Sequence, residues 1–150
     1  MKKLLILVVI TVFAPLAAQA GNNGLITKKS KYSVTETIDK LESVLKKKGI
    51  TVALRWSHSD KANGVGIKLR PTELLIFGNP KLGSNMFTSN QTSGIDLPMK
   101  ALAWEDEKGQ VWLSYNDPAY LGSRHDINDR AKVINKMTGA LNKFSDAATK

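Results

Sequence analysis

The chain has 150 residues, 42% of them hydrophobic, and a formal net charge of +9. That is enough apolar material for one domain with a packed core, which excludes disorder as the organising state. The chain has no cysteine, which excludes disulfides, thiol chemistry, lipid attachment at a cysteine and every cysteine-based metal or iron–sulfur site.

Residues 1–20 read as a signal peptide rather than as fold. Met1-Lys2-Lys3 is a charged start, Leu4 to Phe13 is an apolar core, and Ala18-Gln19-Ala20 has the small-x-small form of a cleavage site. The apolar run is short of the ~20 residues a bilayer span needs. The expectation is a mature chain from Gly21, exported to the periplasm or beyond, with no transmembrane span after cleavage. Without Lys2 and Lys3, 20 of the 22 basic residues remain against 13 acidic ones, so the mature chain carries about +7. Such a balance favours anionic ligands or surfaces. The basic residues are scattered, so nucleic acid is not an expected partner.

Within the mature chain, residues 21–30 read as a flexible segment leading into a first strand. Residues 31–146 read as a single domain, and 147–150 as a frayed tail. Leu25 to Lys31 is a short, lysine-rich edge strand. Ser33 and Glu36 form a capping box, and Val34, Ile38, Leu41 and Leu45 repeat at helical spacing. Lys46 to Lys48 suit the helix dipole, and Gly49 stops the helix.

Ile50 to His58 alternates as a half-buried strand, with Ile50, Val52, Leu54, Trp56 and His58 on the apolar face. That pattern places His58 beside Trp56 at the strand's end, a candidate for metal, haem or proton chemistry. Ser59-Asp60 caps a short helix through Ala62. Leu74 to Gly78 is uncharged and does not alternate, as in a strand buried on both faces. Gly78-Asn79-Pro80 stops it sharply and, with Lys81, makes a candidate polar site. Lys81 to Gly94 reads as a long connection with one or two helical turns.

Met99 to Glu105 and Gln110 to Tyr115 form a hairpin, closed by Asp106 to Gly109 with Gly109 in the left-handed position. The turn pairs Trp104 with Trp112. Ala101, Ala103, Val111, Leu113 and Tyr115 then share the face packed by helices, and Leu102, Trp104 and Trp112 share the other. Asn116-Asp117-Pro118 ends the hairpin. A last helix opens at Asp126 or Asn128, with Ile127, Ala131, Ile134, Met137, Leu141 and Phe144 as its stripe and Gly139 within it. The tail frays after Ser145. The order strand, helix, four strands, helix predicts an α+β domain with one antiparallel sheet and helices on one face.

From Ser33 to about Phe144 the chain resembles the domain-of-unknown-function 302 family. The resemblance rests on His58 followed by Ala62; on Leu75-Ile76-Phe77-Gly78-Asn79-Pro80-Lys81-Leu82-Gly83; and on Leu97-Pro98 and Trp104-Glu105. It continues through Gly109, Val111-Trp112 and Tyr115-Asn116-Asp117-Pro118. Ser57 departs from the family's tendency to place Asp before the histidine. The resemblance implies a fold like one TATA-binding-protein repeat, without DNA binding. It supplies no catalytic residues.

Little in the chain points to catalysis. There is no Gly-x-Ser-x-Gly elbow and no His-x-x-x-His pair, and the carboxylates of Glu105-Asp106-Glu107 sit on a hairpin tip. A binding module is the leading expectation. Its candidate ligand residues are Trp56, His58, Phe77, Gly78, Asn79, Lys81, Tyr115 and Gly139, with Trp56, His58, Ala101, Ala103, Tyr115 and Gly139 lining a cavity between the sheet and the last helix. The expected ligand is small and apolar or anionic. No cofactor is required, and haem or a metal on His58 is the variant. Leu102, Trp104 and Trp112 are the candidate homodimer interface. A small enzyme using His58 and a structural envelope protein are the alternatives.

Overall fold

Ser33 opens the first helix through the predicted capping box: its hydroxyl accepts the Glu36 amide, and the Glu36 carboxylate accepts the Ser33 amide. Such a cap is worth about 0.5–2 kcal/mol. The computed structural model describes residues 23–150, so the expected signal peptide lies outside the described residues. The elements are β1 (Leu25–Lys29), α1 (Val34–Lys47), β2 (Thr51–Ser57), α2 (His58–Gly64), β3 (Thr72–Gly78) and α3 (Pro80–Ser89). A 3₁₀ turn follows (Gln91–Ile95), then β4 (Met99–Glu105), β5 (Val111–Asn116), α4 (Pro118–Arg124) and α5 (Ala131–Thr149).

The strands form one antiparallel sheet in the order β1-β5-β4-β3-β2, with the helices on one face. β1 is an edge strand, as its lysines predict. Ile38, Leu41 and Leu45 of α1 and Met137 and Leu141 of α5 pack in one core with Leu75, Phe77, Ala101, Ala103, Leu113 and Tyr115 of the sheet. Burial of each large apolar side chain stabilises the fold by about 1.5–3 kcal/mol. The alanines of β4 leave room for the helices to sit close. Gly109, at φ 73°, closes the β4–β5 hairpin and sets Trp104 opposite Trp112.

Five expectations need correction. First, β3 is not buried on both faces. Leu75 and Phe77 are buried, but Leu74 and Ile76 lie half-buried on the face without helices. Second, the alternation of β2 breaks at a β-bulge between Val52 and Leu54. One extra residue flips every later side chain. Val52 opposes the inward Phe77, but Leu54 then opposes Ile76 and Trp56 opposes Leu74, both outward. Arg55 takes the inner face instead and pairs with Asp39 and Glu42 of α1 and with Glu73.

Third, the short helix after β2 is capped by Ser57 and spans His58–Gly64, one turn broader than read. Fourth, the last helix opens at Ala131, not at Asp126 or Asn128. A short helix, α4, precedes it, because Asp117 caps what Pro118 starts. Ile127 is buried in the link between them, and Asp126 sits at φ 53°. Fifth, α5 does not fray after Ser145 but continues to Thr149, with Ala148 and Thr149 buried. The first strand pins this end: the Lys31 amide donates to the Thr149 carbonyl at 3.1 Å, and Lys28 Nζ lies 2.6 Å from Asp146.

Candidate functional site

The end of β3 is built by three successive residues. Gly78 ends the strand against Pro98; a Cβ there would stand 3.2 Å from the Pro98 Cβ, tighter than side chains ordinarily pack. Asn79 caps α3, its side-chain oxygen accepting from the amides of Lys81 at 3.0 Å and Leu82 at 3.3 Å. Pro80 takes the first helical position, where no amide proton is needed. The turn therefore sends α3 from the end of β3 towards α5. Between them lies a cleft of about 720 Å³.

Phe77, Leu97, Met99, Met137 and Leu141 form the buried wall of the cleft, with Phe87, Leu82, Ala140 and Phe144 half-buried beside them. Lys48, Lys81 and Lys136 line its exposed part, together with Ser84 and Asn85. No Asp or Glu is in the lining. Its chemistry is a large apolar surface with a few polar groups at the mouth, the usual make-up of a small-molecule site.

Of the eight candidate ligand residues, Phe77, Gly78, Asn79 and Lys81 line this cleft. Trp56, His58, Tyr115 and Gly139 do not. The β2 bulge carries Trp56 to the outer face. His58 is exposed in the first turn of α2 and has no polar partner among the described residues. Ser57, at the position where the related pattern favours Asp, acts as the cap of α2, accepting the Asp60 amide at 3.1 Å. Tyr115 is buried in the core, where its hydroxyl accepts from Ser145; burial pushes its phenol above the ordinary value. Gly139 is exposed, and an added Cβ would meet nothing within 4 Å. Ala101 and Ala103, expected in the cavity lining, belong to the core as well. The cleft residues that the sequence did not place in a site, above all Phe87, Met137 and Lys136, come from two segments far apart in the chain.

His125 is the second histidine of the chain and lies away from the cleft lining. It is 7% exposed. Its Nε2 lies 2.6 Å from Asp96 Oδ2 and its Nδ1 lies 2.9 Å from Thr92 Oγ1. The Thr92 hydroxyl also bonds Asn90 Oδ1 at 2.8 Å, and Asn90 Nδ2 donates to the His125 carbonyl at 2.8 Å. This chain of bonds buckles the 3₁₀ turn onto α4. Among the described residues no group of three His, Asp or Glu could hold a metal ion.

The face of the sheet away from the helices is a second apolar surface. Leu102, Trp104 and Trp112 lie on it as predicted, and the bulge adds Leu54 at 45% exposure and Trp56 at 40%. Trp104 and Trp112 stack with centroids 6.4 Å apart. Their indole N–H groups donate to Ser114 at 2.9 Å and Asp106 at 2.8 Å. The Trp112 bond, with backbone amides of Gln110 and Lys108, holds the Asp106 carboxyl below its usual pKa.

These features define the class: an α+β domain in which a single helical layer and an antiparallel sheet enclose a side cleft. Residues 26–144 match the family described as "Domain of unknown function DUF302", and the chain belongs to that family. A crystal structure of an uncharacterized conserved DUF302 protein from Bacillus stearothermophilus has the same fold. It superposes on 84% of this chain and 98% of its own, with a TM-score of 0.73 and 23% identity. Two curated relatives carry the name fluoride-specific ion channel: FluC 1 of Brucella suis biovar 1 (strain 1330) and FluC 2 of Brucella melitensis biotype 1 (strain ATCC 23456 / CCUG 17765 / NCTC 10094 / 16M). Each is 42% identical over 135 residues and 87% of this chain, but the match covers only 53% and 50% of those proteins. The chain thus spans about half the length of these relatives. Among its described residues no helix is long and apolar enough to cross a membrane.

Proposed function

We propose that this chain is an exported, non-catalytic binding module whose cleft beside Gly78 to Lys81 takes a small, largely apolar ligand, and whose open sheet face joins two copies. One observation carries the reading. A cleft of about 720 Å³ walled by Phe77, Leu97, Met99, Met137 and Leu141 falls within the roughly 300–1,000 Å³ of small-molecule sites. Export rests on the charged start, apolar run and Ala18-Gln19-Ala20 of the first twenty residues. Pairing of copies rests on Leu54, Trp56, Leu102, Trp104 and Trp112 sharing one uncovered face, since exposed apolar patches of this kind mark interaction surfaces.

The test is native mass spectrometry of the protein recovered from an exporting host. The reading predicts cleavage after Ala20, a dimer mass, and an adduct above the polypeptide mass that collisional activation removes. A bare monomer at micromolar concentration contradicts both surfaces.

A second reading is favoured by the Brucella relatives, in which a segment similar to this chain makes up about half of proteins named as fluoride-specific ion channels. On that reading the module works beside an anion channel, and its net positive charge suits the anion's side of such a complex. Crosslinking followed by co-purification with a fluoride channel from the same cell tests it. Recovery of the module without the channel counts against it.

A further inference from the structure

We propose that the ligand of the cleft is a single-chain amphipathic anion, an acyl or aryl body carrying one carboxylate or phosphate group. The proposal deepens the cleft reading above and rests on it. Its basis is an imbalance of charge. Lys48, Lys81 and Lys136 come from the C-terminal cap of α1, the first turn of α3 and the second turn of α5, yet all three line the one cleft. Six cations elsewhere among the described residues pair with carboxylates, Lys28 and Lys150 with Asp146, Lys46 with Glu42, Arg55 with Asp39 and Glu73, Arg124 with Asp96, and Arg130 with Asp129; the cleft lysines differ from the other unpaired ones in sharing a lining walled by Phe, Leu and Met. None of the three cleft lysines has an ion-pair partner among the described residues, and no acidic side chain lines the cleft. Three unpaired ammonium groups stand over a wall of Phe, Leu and Met side chains.

Each part of that arrangement selects one part of a ligand. The apolar wall takes a hydrocarbon or ring body, because burying it removes apolar surface from water on both sides. The lysines take the head. A negative head is drawn to a mouth of one sign, and low-dielectric walls strengthen the attraction. An ammonium head is repelled, and a neutral head gains nothing from them. Asn79 adds a donor. Its oxygen is used in capping α3, and its amide nitrogen has no partner among the described residues. The volume of about 720 Å³ suits one chain rather than two.

Isothermal titration with four ten-carbon probes tests this: decanoate, decyl phosphate and decylamine below their micellar concentrations, and decanol below its solubility limit. The expected order places at least one anion about tenfold or more tighter than decanol, a gap of roughly 1.4 kcal/mol, with decylamine weakest. Tighter decanoate assigns a carboxylate head, and tighter decyl phosphate a phosphate head. Lys81→Gln combined with Lys136→Gln should bring the anion most of the way down to the affinity of decanol and leave decanol unchanged. Both lysines are exposed, so an unchanged circular dichroism spectrum is expected to accompany the loss. Decanol binding as tightly as both anions overturns the head-group proposal while the cleft reading stands. No binding by any of the four overturns both.

Discussion

The two faces of the sheet use the same strands for opposite purposes. On the inner face Leu75, Ala103 and Leu113 are fully buried under α1 and α5, whereas on the outer face Leu54 and Trp56 remain 45% and 40% exposed. The outer residues are no less hydrophobic than the inner ones. What differs is the presence of a helical layer, and on the inner side that layer leaves a gap, the cleft between α3 and α5. Apolar character alone therefore does not say whether a residue holds the fold together or waits for a partner. The element opposite it decides.

Substitution breaks this comparison most directly. Leu75→Ala should cost about 3–4 kcal/mol in urea unfolding, since the cavity it opens in the core cannot close fully. Leu74→Ala, one residue along and half-exposed, should cost about 1 kcal/mol or less. Equal losses would mean the outer face is as covered as the inner one. Trp112→Lys should leave the fold intact but weaken a dimer at least about thirtyfold, the effect of one interface hot spot of ~2 kcal/mol. Analytical ultracentrifugation across concentration reads the change, and an unaltered mass would exclude that surface as the interface.

Acid sharpens the same contrast. Asp106 has a lowered pKa because the Trp112 indole and the Gln110 and Lys108 amides favour its charged form. Its contribution to stability is present above the ordinary carboxylate pKa of about 3.9 and is lost as pH falls through the lowered folded value. Tryptophan fluorescence should therefore change in acid below about pH 4, and Asp106→Asn should remove that step. The smallest effect is expected at Gly139. The site is exposed within α5 with open space around it, so Gly139→Ala should stabilise the protein by about 0.5–1 kcal/mol and leave cleft binding unchanged.

Much of the fold was legible because local rules and packing agree. Ser33 and Glu36 announce α1, Gly109 sets the hairpin register, and that register alone places Trp104 against Trp112. Gly78-Asn79-Pro80 marked one wall of the cleft for the same reason, since each residue type has a backbone consequence. The bulge in β2 left no such mark. Ala53 can sit in a regular strand or a bulge, so the alternation was carried past the bulge to Leu54, Trp56 and His58. Asp117-Pro118 repeats the device of Asn79-Pro80, but only a strand stop was read there and the seven-residue α4 was missed. His125 could not be interpreted because its partners, Asp96 and Thr92, lie about thirty residues away in an irregular segment. The far wall of the cleft is a matter of how α5 lies against α3, which no local pattern encodes.

The most direct test of the central claim is to follow backbone amide resonances while the tighter-binding anion, decanoate or decyl phosphate, is added to the folded protein. The account predicts shifts clustered in residues 77–87 and 136–144, around Lys81 and Lys136, with Leu102, Trp104 and Trp112 unmoved. Shifts confined to β2 and β4 on the open sheet face, or no shifts at all, would contradict it.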